Sequence, residues 1–399
     1  MGGFIYPNEA AVEWDLLIVI YPYITGLVAG AFIVSSLYHV FGIKALKPVA
    51  RFSLVTALAF LIVCPIPLII HLGRPERALE MLLRPNIISA MSGFGYIWFF
   101  YLLLLVTEVW LVFRPDIVRY ARSSRDWKKK VYRLLSLGVD DISGKTLAVD
   151  GKLIKFLAVA GIPVACLLHG YVGFIFGAIK SNAWWSTPLM PLIFLVSAIV
   201  SGIALLIVLY TLVTKMRKAP LDYTCLRSLG LWLGGFLTLV LTLEGLEVIS
   251  MLYESEESWT AIQQLITQQI ATTYFVVQFG IGSLLALAVL GGSEVLKLKD
   301  PARNSLRVLA ASLVLIGVFA MRWNVVIGGQ LISKGLRGFS SYVVPVGGLN
   351  GIVTAIALLI LPFVILAIIS YFIPPWREGP VETPPTDYRL RPFRASSLE

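Results

Sequence analysis

The chain has 399 residues, of which 58% are hydrophobic and 14% charged, with a formal net charge of +10 and a mean hydropathy of +0.83. A soluble domain of that make-up would expose large apolar patches, so the composition excludes one and predicts an integral membrane protein. The basic excess sits at the ends of apolar runs rather than along one groove-fitting element, which excludes nucleic-acid binding and reads as membrane topology plus affinity for anionic lipid.

The opening "MGGFIYPNEAAVEWD" has no basic stretch before an apolar core and does not read as a cleaved signal peptide. A first span is expected over 14–41, carrying Tyr21 and Tyr23. A second, over 49–71, ends at His71 and runs into "HLGRPERALEMLLRPN", a polar stretch in an otherwise apolar chain. There Gly73 breaks the helix and Pro75 suits the first turn of a new one. Residues 76–83 are then expected to make an amphipathic turn or two along the membrane surface. His71, Arg74, Glu76, Arg77, Glu80 and Arg84 gather at that face, a cluster suited to docking a partner or neutralising an anionic ligand.

The third span is predicted over 87–113 and contains Glu108. Residues 114–152 form the longest non-spanning piece. Within it "SSRDWKKKVYRLL" is an amphipathic basic stretch suited to the inner membrane surface, and "VDDISGKTLAVDGK" reads as a polar turn or short hairpin. The fourth span, 153–178, holds "LLHGYVGFIFGAIK", with His169 and Tyr171 two residues apart. Its Gly170, Gly173 and Gly177 recur at three- and four-residue steps that let another helix approach closely. Further spans follow over 189–213, 229–252 (Glu244 and Glu247), 272–296 (Glu294), 306–327 (Arg322) and 349–373. The tail over 376–399 is proline-rich and polar, which predicts an extended end.

Nine apolar runs of this length predict an all-α polytopic membrane helical bundle, since lipid leaves only helices and closed barrels able to satisfy the backbone. Segments of about ten alternating residues, the mark of a barrel, are absent. One transmembrane domain is expected over 1–375, with 114–152 as a basic insertion. The connections alternate in basicity. One set holds Lys44, Lys47 and Arg51; Lys128, Lys129 and Lys130; Lys215, Arg217 and Lys218; Lys297, Lys299 and Arg303; and Arg377, Arg389, Arg391 and Arg394. The other holds Glu9, Glu13, the 71–86 stretch, 180–190, the acidic 253–258 and 333–345. The positive-inside rule makes the first set cytoplasmic, which puts the N-terminus outside and the C-terminus in the cytoplasm.

Ionisable side chains within a span cost about 2.5 to 3.5 kcal/mol each on insertion scales, so each calls for a partner or a task. Glu244 and Glu247 are spaced i, i+3 on one helix face. Two readings stay open for them: a structural ion pair of Glu247 with Arg322, or a proton-exchanging carboxylate pair. Glu108 and Glu294 lie toward the inner helix ends and are expected to snorkel. Cys64, Cys166 and Cys225 show no C-x-x-C spacing, so no iron-sulfur cluster or structural metal is expected in this chain.

The string "HLGRPERALEMLLRPN" closely resembles the L-G-R-P-x-R…R-P-N element of the NrfD/PsrC family, the quinone-interacting membrane subunits of polysulfide-reductase-like complexes. "YPYITGLVAGAF" resembles that family's glycine-rich first helix, and "LLHGYVGFIFGAIKSNAWWSTPLMPLIFLVSAIVSG" its fourth and fifth. The likeness covers residues 10–215 well and the later spans more loosely, where it is similar to longer members associated with membrane hydrogenases and sulfur metabolism. It implies a quinone or quinol site near the outer face and no redox cofactor in the membrane subunit. It also implies a separate iron-sulfur subunit of four-cluster ferredoxin type leading to a catalytic subunit, with a molybdopterin type favoured. Tyr171 falls where the family places a quinone-contacting tyrosine, Tyr21 where some members carry a polar first-helix residue, and His71 and Arg74 on the motif bordering the pocket. Leu17 and Ile18 stand where some members carry an amide, which leaves His169 to supply a second head-group hydrogen bond. Glu76, Arg77, Glu80 and Arg84 would then lie under the partner.

Sulfur or polysulfide reduction is the expected process, with a hydrogenase or a sulfite-pathway complex as the alternative. Two rivals from other classes are a haem b subunit ligated by His71 and His169, and a secondary transporter using Glu244, Glu247 and Arg322. No second histidine pair supports the first. No matched pair of interrupted helices supports the second.

Overall fold

The computed structural model describes residues 11–84, 86, 88–254 and 258–376. Glu9, Pro85, the centre of the acidic 253–258 stretch and the tail from 377 onward lie outside the described residues. Among the described residues nine helical segments are long and apolar enough to cross a membrane. The first is α1 (Leu16–His39), begun by Asp15, whose side chain accepts a hydrogen bond from the Leu17 amide. The second is broken at Cys64 and Pro65 into α2 (Lys47–Val63) and α3 (Ile66–His71).

Beyond them come α4 (Ala90–Ser123), the short α5 (Asp126–Leu135), α6 (Gly144–Gly177), α7 (Met190–Met216) and α8 (Tyr223–Glu254). The bundle closes with α9 (Thr272–Val295), α10 (Asp300–Leu331) and α11 (Ile352–Phe372). Successive spans alternate in direction. One end of the bundle therefore carries the 71–89 segment, and the other carries Lys44, Lys47, Arg51, the Lys128 to Lys130 run, Lys215 and Lys299.

The centre of the bundle is α1 packed on α7, the two most buried spans. Glycine makes the approach possible: a methyl added at Gly30 would stand 2.7 Å from the Gly202 Cα. A second close crossing joins α9 to α10, where a methyl at Gly282 would lie 3.1 Å from the Gly317 nitrogen. The outer helices α4, α6, α8 and α11 turn broad apolar faces outward, with Phe100, Phe156, Leu231 and Val353 among the exposed side chains. Lipid is the medium that suits such faces.

The basic segment is more helical than the sequence suggests. α4 and α6 each run 34 residues, and α6 begins at Gly144 where a polar hairpin was expected. Its start is capped by Ser143, which accepts from the Thr146 amide. Between them α5 lies against α4 and the end of α11. The Tyr132 hydroxyl donates to the Phe372 carbonyl at 2.8 Å, and the Tyr132 ring stacks on Tyr120 at 5.2 Å. Arg114, nearly fully buried, ties the loop down by donating to Asp150 and, at 2.8 Å, to the Asp141 carbonyl.

Candidate functional site

The polar stretch after His71 behaves as a surface element. Gly73 adopts φ +69°, which a side chain would strain, and this turns the chain out of α3. A 3-10 turn (Pro75–Arg77) and a single α turn (Glu80–Leu83) follow. The Tyr96 hydroxyl on α4 staples the segment, donating to the Met81 carbonyl at 3.1 Å and accepting from the Asn86 amide at 3.0 Å.

Arg74, Glu76, Arg77 and Arg84 are exposed. Arg77 pairs with Glu80 at 3.0 Å, and that hydrogen bond draws the Glu80 carboxyl below its usual range. Among these charges stand Leu72, Leu79, Leu83 and Ile88, the last two 78% and 97% exposed. A charged and apolar mosaic of this kind is what a protein partner covers. Arg74, expected to border an inner pocket, belongs to this outward surface.

His71 faces inward. Its Nδ1 stands 3.1 Å from Asp15 Oδ2, so the end of α3 is latched to the start of α1. Asp15 was missed by sequence reasoning, because its role depends on a residue 56 positions away. About 9 Å further along α1, six residues at about 1.5 Å each, lies Tyr21. Its ring meets Phe94 of α4 edge-on at 5.0 Å, and its buried hydroxyl has no hydrogen-bond partner. Tyr171 of α6 is an electrostatic neighbour of that hydroxyl. The Tyr171 ring end packs on Gly93, where a methyl would stand 2.8 Å from Cζ.

The structure thus brings Tyr21 and Tyr171 together where α1, α4 and α6 converge beneath the 71–89 segment. A buried hydroxyl without a partner is uncommon because it forfeits its hydrogen bond, and a carbonyl-bearing ligand between these helices would restore it. The residues present therefore fit a quinone head group.

His169 does not join this tyrosine pair, although it lies only two residues from Tyr171. It is fully buried on the opposite side of α6, against Gly26, where a methyl would stand 3.2 Å from its Cε1. Its Nε2 accepts from Arg322 Nη2 at 3.0 Å. Arg322 also donates to the Ser197 hydroxyl at 2.7 Å, and its guanidinium lies 4.0 Å over the Phe194 ring. With that nitrogen engaged by Arg322 and His71 held by Asp15, the two histidines do not form an axial pair for haem.

Of the two readings for Glu247, its ion pair with Arg322 is not formed; Glu244 is the carboxylate that Arg322 senses. Glu244 Oε1 accepts from Gln278 at 3.1 Å, Gln278 Oε1 from Asn324 at 2.8 Å, and Asn324 Oδ1 from the Thr273 hydroxyl at 2.6 Å. Sequence reasoning passed over Gln278, Asn324 and Thr273, although amides inside apolar runs were the available signal.

Glu294 and Glu108 also depart from expectation. Glu294 is bound by Arg307 at 2.6 Å and Arg227 at 2.8 Å rather than reaching freely for water. Glu108 is fully buried, with neither carboxyl oxygen partnered.

Similarity to known proteins gives this geometry a context. Residues 7–334 match the model of the family described as polysulphide reductase, NrfD. The chain is 32% identical over 325 residues to a selenate reductase subunit of Mesobacillus selenatarsenatis, covering 79% of this chain and 73% of that protein. It is 33% identical over 226 residues to a putative dimethyl sulfoxide reductase membrane subunit of Halobacterium salinarum, covering 56% and 49%. A tetrathionate reductase subunit of Archaeoglobus fulgidus aligns over 388 residues at 25% identity, covering 93% and 96%. The motif at His71, the nine spans and the matched family model agree, and the chain belongs to the NrfD, polysulphide reductase family.

Proposed function

We propose that this protein is the membrane subunit of a respiratory reductase complex, binding quinone or quinol in the cleft of Tyr21 and Tyr171 and exchanging electrons with an iron-sulfur partner. The observation that carries the reading is the unpartnered, buried Tyr21 hydroxyl beside Tyr171, directly under an exposed mosaic of charge and leucine. When bound, a quinone supplies two-electron, two-proton redox chemistry. The chain's part would be to orient it: the Tyr21 and Tyr171 hydroxyls would donate to it, with Phe94 and Phe174 packed beside those tyrosines. The Asp15–His71 latch holds the α1 and α3 ends together over that cleft and sets an imidazole near it.

The partner is proposed to be a four-cluster ferredoxin-like protein seated on Glu76, Arg77, Glu80 and Arg84, passing electrons to or from a molybdopterin catalytic subunit. The relatives named for selenate, dimethyl sulfoxide and tetrathionate reductases support a terminal reductase, with a sulfur or selenium compound as acceptor. Clustering of the lysines at the opposite end supports a cytoplasmic C-terminal side and an outer-face site in the cell membrane.

The test is quinol oxidation by the assembled complex. Tyr171→Phe and Tyr21→Phe should each cut turnover while the partner proteins still co-purify. Unchanged turnover in both would remove the cleft from the role assigned to it.

A further inference from the structure

The C-terminal half of the bundle holds a second polar centre that the quinone cleft does not use. Glu244 and Glu247 line one small cavity of about 20 Å³ together with Gln278, Asn324 and Tyr274. That is room for a single water with several polar partners. Glu247 also lines a second, larger cavity of about 100 Å³ with Thr187, Ser250 and Ser258, at the end of the bundle that carries the 71–89 segment. Glu247 therefore lines both the carboxylate cavity and a vestibule of hydroxyls.

Charge accounting shows what the chamber holds. Arg322, from α10, is the cation facing Glu244, and it is engaged by His169 and Ser197. Tyr274 of α9 is the other titratable neighbour, and α7 contributes only Met190 and Ile193 to the lining. Two ionised carboxylates beside one cation, with Glu244 buried, would leave a net negative charge that burial penalises. Glu244 Oε2 and Glu247 Oε1 both lack partners, whereas the amide oxygens of Gln278 and Asn324 already accept hydrogen bonds. Two free oxygens are too few for a metal ion and suit one retained proton.

The backbone is built around this spot. α9 is π-helical over Thr272–Leu285 and α10 over Asn324–Gly328, so Thr273, Gln278 and Asn324 all sit on π-helical turns. Such turns are rare and concentrate at functional sites.

We propose that Glu244 and Glu247 share one proton and form a proton-exchange site that loads and unloads through the Thr187, Ser250 and Ser258 vestibule. The one proton leaves from Glu247 to vestibule water, a proton from that water reloads the pair through Glu247 and is shared with Glu244, and no electron moves. Gln278 holds Glu244 on one side, and Arg322 ties the pair to His169 on α6. The site stands whatever occupies the Tyr21–Tyr171 cleft.

Infrared difference spectra of the intact complex in lipid, recorded across a pH titration in H₂O and D₂O, test this. The expected result is a carboxylic-acid band that shifts in D₂O and is lost in both Glu244→Gln and Glu247→Gln. Ser250→Trp, at an exposed position, should keep the band and slow its deuterium shift. Tyr171→Phe should leave it unchanged even where quinol turnover falls, which separates this site from the quinone reading. A band that survives both glutamine variants, one that responds to sodium rather than pH, or no band at all would overturn the proposal.

Discussion

Arg322 Nη2 stands 3.0 Å from His169 Nε2, and because a guanidinium only donates, the imidazole accepts through its unprotonated nitrogen. The pair joins α10 to α6 in the interior of the bundle. It divides the polar residues into two groups: Tyr21 and Tyr171 on one side of α6, Glu244 and Glu247 beyond Arg322 on the other. Arg322 is not matched by a cation of equal charge and different shape, because Ser197 and Phe194 fit a flat fork.

Arg322→Leu should therefore destabilise the protein by about 3 to 5 kcal/mol, the scale for breaking a buried polar pair. Arg322→Lys should recover only part of that loss. Thermal unfolding of the complex in lipid nanodiscs measures both, and a lysine variant as stable as the parent would remove the fork geometry from the explanation.

Gly93→Ala should push the Tyr171 ring aside, since the added methyl would meet its Cζ at 2.8 Å. Overpacking of this kind costs about 1 to 3 kcal/mol, and here the strain falls on the proposed ligand-facing tyrosine. Gly235→Ala, with nothing within 4 Å, is the control and should behave as the parent. Quinol turnover at matched complex yield reads the difference; equal turnover in the two variants would uncouple Gly93 from the cleft.

Asp15 both caps α1 and holds His71. Asp15→Asn keeps a capping oxygen and should weaken only the latch, whereas Asp15→Ala should lose about 1 kcal/mol more through the missing cap. Comparing unfolding midpoints of the two, alone and combined with His71→Gln, separates the contributions. If Asp15→Asn and His71→Gln add independently, the latch is not a coupled pair.

Glu108 should be more stable replaced than retained. With both oxygens unpartnered in a fully buried setting, Glu108→Leu is expected to stabilise by about 1 to 3 kcal/mol, the desolvation scale of an unmet polar group. A lower unfolding midpoint for this variant would show that the carboxyl has a stabilising role.

The N-terminus of α6 carries a pH dependence of known sign. The Thr146 hydroxyl, then the Ser143 amide and hydroxyl, donate to Asp141 and hold its carboxyl below the usual range. A carboxyl lowered on folding adds stability above its unfolded value of about 3.9, and that stability fades as pH falls through the folded value. Amide exchange in the first turn of α6 should accelerate over that acid window in the parent. In Asp141→Asn the acceleration should disappear; its persistence would point to another group.

Hydropathy alone reveals nine spans because transfer into lipid is a local property, scored residue by residue along about 20 positions. It misjudges where α4 and α6 stop, since helical hydrogen bonding continues through the basic stretch once Arg114, Tyr132 and the Ser143 cap support it. Which way a polar side chain points is not local. A helix apolar on every face has no periodicity to orient it, so Tyr171 and His169, two residues apart, could not be assigned to different neighbours from sequence.

By itself, then, the sequence determined the number of spans, the bundle, the surface position of the His71 motif and the tyrosines worth watching. Tertiary structure decided the pairings. Gly30 and Gly202 let α1 and α7 close, Gly26 admits His169, and these contacts set the rotation of α6 that gives His169 to Arg322 and Tyr171 to Tyr21. Partners 153 residues apart meet only after the helices pack, because in lipid it is close contact between helices, and not the apolarity of their faces, that selects which sides meet.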